Sequence, residues 1–303
     1  MELDFVQWLA DRLPPENRPG EGVGDDAVLL PLGGGQLVTA ADLLIDGVHF
    51  SSQEHSPERI GRKALAVNLS DLAAMASRPT GFLLSLAVPR GGAGGLPPDR
   101  LARRLVEGML PLAEEFGCPL VGGDTNVGPG PLVLAVTVFG EPGPRGSTLR
   151  SGARAGDALL VTGELGGSLA GKHLDFTPRV AEALRLVEAT DVHAMIDLSD
   201  GLSLDLNRLC RASGVGARVE ASRLPVSESL VDEPDAIERA LSDGEDFELL
   251  LAVADTEKDR LLQSPPGGCR LFWIGNATEP TDVVLRRSGG AEEPLQPRGY
   301  EHR

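Results

Sequence analysis

Cysteine is scarce in this chain. Cys118, Cys210 and Cys269 are the only three in 303 residues, an odd number with no CxxC spacing. That argues against a disulfide framework or a paired-cysteine zinc site and fits a reducing cytosol. Basic residues are also short, with 28 Lys and Arg against 45 Asp and Glu and a formal charge of -17. Such a chain repels nucleic acid and anionic membrane. No apolar run approaches the roughly 18 residues needed to cross a bilayer. The N-terminal MELDFVQWLADRL is acidic and amphipathic, without the basic and apolar regions of a secretory signal. No Ser–His–Asp or Cys–His set stands out. These absences point to a cytoplasmic globular protein, long enough for two domains, with neither nucleic acid nor membrane as a partner.

What the chain does have is strand-and-helix patterning in both halves. Apolar spacing predicts helices over Met1–Leu13, Pro57–Ala76 and Pro98–Phe116, with strands near Ala27–Leu30, Gln36–Ala40, Phe82–Val88 and Leu132–Phe139. The Gly/Pro-rich stretch Gly140–Gly146, with the basic run to Arg154, reads as a linker. Beyond it come strands near Asp157–Thr162, Ala217–Glu220, Glu248–Val253 and Arg270–Gly275, and helices near Thr177–Ala189 and Leu202–Ala212. The tail from Ser288 is polar and expected to pack loosely apart from Tyr300. Mixed elements of this kind suggest α/β or α+β layers.

Six aspartate-bearing phrases carry the chemistry: GDDA at Gly24–Ala27, AADLLIDGVHF at Ala40–Phe50, NLSDLAAM at Asn68–Met75, VGGDTN at Val121–Asn126, MIDLSDGL at Met195–Leu202 and DGEDFEL at Asp243–Leu249. Most sit at the end of an aliphatic run among Gly, Ser or Thr, the setting of a built site rather than a solvated surface. Carboxylates gathered from distant segments repel one another and need a cation. Hard oxygen donors suit Mg²⁺, which bridges carboxylates to substrate phosphates. Of the adjacent Asp25 and Asp26, one is expected to meet metal while the other takes backbone amides. Asp71 falls within a helix of Ala, Leu and Met, where a lone buried charge is costly. The glycines before Asp124 let backbone approach a phosphate, between an apolar run and a polar turn. Asp197, Ser199 and Asp200 offer two carboxylates and a hydroxyl just ahead of a helix N-terminus, which also favours phosphate.

Gly166-Gly-Ser-Leu-Ala-Gly171-Lys172 imitates a P-loop. Position 173 is His rather than Ser or Thr, so the hydroxyl that would bind Mg²⁺ is missing. A tight turn with close helix packing is the better reading.

The phrases GDDA, DGVHF, NLSDLAAM, GGDT, SDGL and GEDFEL, in this order and over almost the whole chain, resemble those of the thiamine-monophosphate kinases. That family belongs to the ATP-dependent aminoimidazole ribonucleotide synthetase superfamily. The resemblance implies two mixed α/β domains, residues 1–145 and 146–303, the first binding ATP and metal and forming a β-barrel across a homodimer. It implies ATP-dependent phosphorylation of thiamine monophosphate to thiamine diphosphate, assisted by several Mg²⁺ ions and with room for a monovalent cation. Family metal positions fall on Asp26, Asp42, Asp71, Asp124, Asp197 and Asp200; Asp26, Asp71, Asp124 and Asp200 would be catalytic through that metal. Nucleotide contacts fall on Gly123, Asp124, Arg150 and Ser199, and thiamine-phosphate contacts on His49, Glu245, Asp246 and Tyr300.

Three departures stand beside the likeness. Ala40 and Ala41 replace the hydroxyl residues that often precede the aspartate matching Asp42. Val106 stands where the family has an aromatic, and Tyr300 lies in the short phrase GYEHR. The alternatives are another ATP-dependent enzyme of the superfamily or a catalytically silent nucleotide-binding regulator.

Overall fold

The structure, a computed structural model, describes residues 25–279 and 281–300. The helix expected over Met1–Leu13 lies outside the described residues.

Five strands of the N-terminal half form one sheet. They are β1 (Val28–Leu32), β2 (Gly35–Ile45), β3 (Ser77–Pro89), β4 (Leu120–Gly128) and β5 (Val133–Pro142), in the order β1-β2-β5-β3-β4. All neighbours are antiparallel except β3 and β4. Period-two patterning sets the faces: Val38, Ala40 and Leu44 of β2 turn inward, while Leu43 is 53% exposed on the other side. Two helices cover the inward face, α1 (Pro57–Ala74) and α2 (Pro98–Glu115).

Ser56 caps α1 by accepting from the Arg59 amide at 3.4 Å, and Pro57 supplies a preset first helical residue. Nearly every residue of α1 from Ile60 onward is buried, so this helix is central rather than one-faced. Two glycines let α2 cross it at backbone contact. A Cβ on Gly61 would lie 1.9 Å from the Leu105 carbonyl oxygen, and one on Gly108 would lie 1.9 Å from that of Glu58.

The C-terminal half builds a seven-stranded mixed sheet, β12-β11-β8-β10-β6-β9-β7. Its strands are β6 (Ala158–Val161), β7 (Val192–Asp197), β8 (Gly216–Glu220), β9 (Leu249–Val253), β10 (Phe272–Thr278), β11 (Val283–Arg286) and β12 (Glu292–Pro294). Around it lie α3 (Lys172–Asp175), α4 (Val180–Ala189), α5 (Leu202–Ser213), α6 (Ala236–Ser242) and α7 (Asp255–Gln263). β6 and β9 are buried on both faces, which explains their unbroken apolar runs. One face packs Leu160, Met195, Leu249 and Leu251 into the core that also holds α1. The other packs Leu159, Val161 and Leu250 with Leu202, Leu206 and Leu209 of α5. Helix α1 therefore touches both sheets' cores.

Two expectations change. The phrase Val121–Asn126 forms no turn; it runs through β4, an edge strand exposed along almost its whole length. The tail is docked: β12 pairs with β11, Ser203 Oγ bonds Arg298, and the Tyr300 amide donates to the Asp200 carbonyl at 3.0 Å. Among the described residues each sheet of the single chain is open and ends in two edge strands.

Candidate active site

The C-terminal end of α1 meets the C-terminal end of β7 at a carboxylate cluster. Asp71 lies in the last turn of α1, where unpaired carbonyls already place partial negative charge, and no basic residue shares that turn. Asp197 closes β7, and Asp26 comes from the turn before β1. One carboxylate oxygen from each of Asp26, Asp71 and Asp197 lies within 4.8 Å of the others. Burial first, and neighbouring aspartates second, hold the protons of Asp71 and Asp197 well above the usual carboxylate range. Asp42 hydrogen-bonds Asp71 and is pushed up to about 6, by burial first and then by the charge of Asp200.

The backbone aims each group for a local reason. Asp25 takes amides: it accepts from Asp26 N at 2.9 Å and from Arg150 N at 3.2 Å. Burial, then the charge of Asp26, raises Asp25 to about 6. Asp26 Oδ1 accepts from the Arg150 guanidinium at 2.6 Å, while its buried Oδ2 has no hydrogen-bond partner among the described residues. The phrase NLSDLAAM spreads its polar groups around one helical turn. Asn68 Oδ1 accepts from Asp42 N at 3.1 Å, Ser70 Oγ donates to Asp197 Oδ2 at 2.6 Å, and Asp71 enters the cluster. A buried carboxylate oxygen without a donor, beside two more carboxylates, is an oxygen-donor set that fits a hard divalent cation.

MIDLSDGL and DGEDFEL are laced together by backbone bonds. Leu198 N donates to Glu248 O at 2.8 Å, Phe247 N to Leu198 O at 2.9 Å, and Glu245 N to Ser199 O at 2.7 Å. Gly244, at φ +74°, lets this loop press against Asp200, whose carbonyl oxygen lies 3.0 Å from where a Cβ would be. The Asp200 carboxylate itself pairs with Arg208 at 2.6 Å. Tyr300 is brought beside this turn through its backbone.

Glu245 is already engaged. Both its oxygens accept from the buried Lys63 ammonium, at 2.7 and 2.8 Å, and His173 Nδ1 lies 2.9 Å away. Lys63 also donates to the His49 carbonyl at 2.7 Å, so His49 and Glu245 share one cation. The imidazole Nδ1 of His49 accepts from Ile45 N at 3.1 Å. Asp246 accepts from Gly166 N at 3.0 Å, and Asp243 from Gly167 N at 3.0 Å. Those amides are the ones a P-loop would turn to phosphate, so the imitation is a carboxylate-held turn. A Cβ on Gly166 would sit 2.9 Å from Ala240, which is the close helix packing expected there.

Asp124 and Gly123 lie elsewhere. Across the first sheet Asp42 pairs with Val136, Val136 with Leu84, and Leu84 with Gly123. Three strand spacings separate the ends of that row by about 14 Å. Asp124 pairs with Ser85, which is exposed on the face away from α1. Its carboxylate accepts from Thr125 N and Asn126 Nδ2, each at 2.9 Å. Beside it opens a cavity of about 610 Å³ lined by Leu84, Ala102, Arg103, Val106 and Gly123. Gly123 is required there, since a Cβ would fall 1.8 Å from the Leu84 carbonyl oxygen.

Thus the chain gathers Asp26, Asp71 and Asp197, keeps Asp42, Asp200, Ser199 and Arg150 around them, and leaves Asp124 apart. Sequence reasoning missed Lys63, His173, Asp205 and Arg208. Lys63 reads as an ordinary basic residue of a helix, and only its burial against Glu245 and His173 sets it apart.

Residues 24–141 match AIR synthase related protein, N-terminal domain, and residues 154–287 match AIR synthase related protein, C-terminal domain. The thiamine-monophosphate kinase of Rhodopirellula baltica is 38% identical over 318 residues, covering 100% of this chain and 97% of that protein. The thiamine-monophosphate kinase of Bacillus subtilis is 34% identical over 327 residues, covering 99% of each. Among solved structures, AaThiL complexed with AMPPCP and TMP is similar with a TM-score of 0.82 and 26% identity, over 99% of this chain and 96% of that one. Thiamine-monophosphate kinase from Stenotrophomonas maltophilia is similar with a TM-score of 0.72 and 33% identity, over 93% and 95%. With both domains matched in order and curated relatives about a third identical over nearly their whole length, the chain belongs to the thiamine-monophosphate kinases.

Proposed function

We propose that this enzyme transfers the terminal phosphoryl group of ATP to thiamine monophosphate, giving thiamine diphosphate and ADP. The observation that carries the proposal is the cluster of Asp26, Asp71 and Asp197 within 4.8 Å, with one buried oxygen left without a donor. Those three, with Asp42 and Asp200 beside them, would hold Mg²⁺. When bound, the metal would supply positive charge against the phosphates and hold them in line for transfer. The acceptor is a phosphate monoester, already anionic at neutral pH, and needs no base to remove a proton. Bringing two anions together is the main barrier, and the chain's own work is positioning. Arg150 would turn its guanidinium to the nucleotide, Ser199 would offer its hydroxyl there, and His49, Glu245, Asp246 and Tyr300 would line the thiamine-phosphate side.

The distance of Asp124 and Gly123 from the cluster supports a homodimer in which a second copy brings them to it. β4 is an edge strand with Val121 59% and Val127 52% exposed, and the uncovered sheet face presents Leu43. Unpaired edges and apolar faces of this kind seek a partner. A barrel completed across the two copies would bury both. In the same reading the chain divides into domains 1–145 and 146–303 and works in the cytoplasm; among the described residues no helix is long and apolar enough to cross a membrane.

The test is incubation with ATP, Mg²⁺ and thiamine monophosphate, with free thiamine as a parallel acceptor and product followed by chromatography. Thiamine diphosphate formed from the monophosphate alone supports the proposal. Absence of product while ATP still binds would move the protein to another enzyme of the superfamily or to a silent nucleotide-binding regulator.

A further inference from the structure

Asp200 lies beside the acidic cluster, close enough for its charge to raise Asp42, yet its carboxylate is turned to an internal cation. Arg208, two turns along α5, donates Nη1 to Asp200 Oδ2 at 2.6 Å; the two side chains are 27% and 23% exposed. The same Nη1 lies 2.8 Å from Oδ1 of the fully buried Asp205. Asp205 Oδ2 in turn accepts from Asp200 N at 3.0 Å and Gly201 N at 3.1 Å. One buried carboxylate thus ties together the backbone of the Asp200 turn and the cation that faces it. The tail closes the other side, with Tyr300 N on the Asp200 carbonyl.

We infer that Arg208 is the internal counter-cation of Asp200 and competes with a divalent cation for that carboxylate. Without metal it offsets part of the negative charge that Asp200 brings to the crowded cluster. When a divalent cation binds, Asp200 exchanges Arg208 for it. Asp205 keeps the turn and Arg208 in place throughout, so Arg208 and Asp205 are positioning residues. This rests on the cation-site reading of Asp26, Asp71 and Asp197.

The sign of the effect separates this role from a merely structural one. Damage to the turn weakens cation binding, whereas removal of a competing positive charge strengthens it. Mn²⁺ binding to the full-length protein without nucleotide, read by electron paramagnetic resonance, is the measurement. Arg208→Gln is expected to bind Mn²⁺ on the order of five-fold more tightly than wild type, and Arg208→Lys, which keeps the charge, near wild type. Equal or weaker binding by Arg208→Gln overturns the inference, as does equal tightening by Arg208→Lys. Should Arg208→Gln fail to fold, the double variant Arg208→Met, Asp205→Asn carries the same expectation without leaving a buried charge alone. No Mn²⁺ binding by wild type would remove the cation-site reading itself, a result distinct from wild-type binding that Arg208→Gln leaves unchanged.

Discussion

Asp71→Asn is expected to make the metal-free protein more stable while removing most of its response to Mg²⁺. Asp71, Asp26 and Asp197 lie within 4.8 Å of one another. At an effective dielectric of about 20, each ionised pair at that distance repels by about 3 to 4 kcal/mol. Arg150 and proton uptake offset part of this, so a net gain of about 1 to 2 kcal/mol is expected on neutralising Asp71. In a chain of this size that is roughly 2 to 3 °C of melting temperature. Wild type should gain about 2.7 kcal/mol from Mg²⁺ at a hundred times its dissociation constant. The variant should gain far less, since an amide donates to Asp42 but brings no charge to a cation. Thermal melts in chelator, followed by Mg²⁺ titration, read both quantities. A variant that melts lower than wild type in chelator, yet shows the full Mg²⁺ shift, would refute the cluster as the cation site.

Gly108→Ala should destabilise by at least about 3 kcal/mol, because its Cβ would fall 1.9 Å from backbone oxygen where α1 and α2 cross; urea melts measure it. If Asp124 serves a neighbouring copy, inactive Asp71→Asn and inactive Asp124→Asn subunits refolded together should recover about a quarter of wild-type turnover; no recovery on mixing would place Asp124 in its own chain's site or outside any. Asp246 titrates at about 7 in the fold, raised by burial from an ordinary 3.8. The folded protein therefore binds this proton more tightly than the unfolded chain. Its stabilising contribution is full below about pH 3.8, falls as pH rises and is gone above pH 7. Asp246→Asn should remove about 3 kcal/mol of the stability lost between pH 5 and 8, read from urea melts in chelator; an unchanged slope would count against a protonated Asp246.

Much of the architecture could be read from residue order because burial writes a simple pattern. β6 and β9 lie between two layers, so their positions are all apolar. The apolar spacing over Pro57–Ala76 announced α1, including Asp71 within it. The strand β7 escaped notice because its six residues begin Val-His and end in Asp, too short and too polar at its ends to show a period. β4 escaped because two glycines and an aspartate are poor strand formers, and only pairing with β3 extends them. The short helices α6 and α7 have few buried residues to set a rhythm.

The candidate site divides in the same way. The sequence by itself determined the set of candidate carboxylates, carried by six aspartate phrases in one order, and that adjacent Asp25 and Asp26 would not both face the same way. Only the tertiary structure decided how they divide: Asp26, Asp71 and Asp197 meet, Asp124 lies three strands off, Glu245 is held by Lys63 and Asp200 by Arg208. The reason is physical. A phrase fixes its local turn through hydrogen bonds between near neighbours, whereas the charge that a carboxylate faces is set by segments far away in the chain, brought close only when the two cores pack around α1.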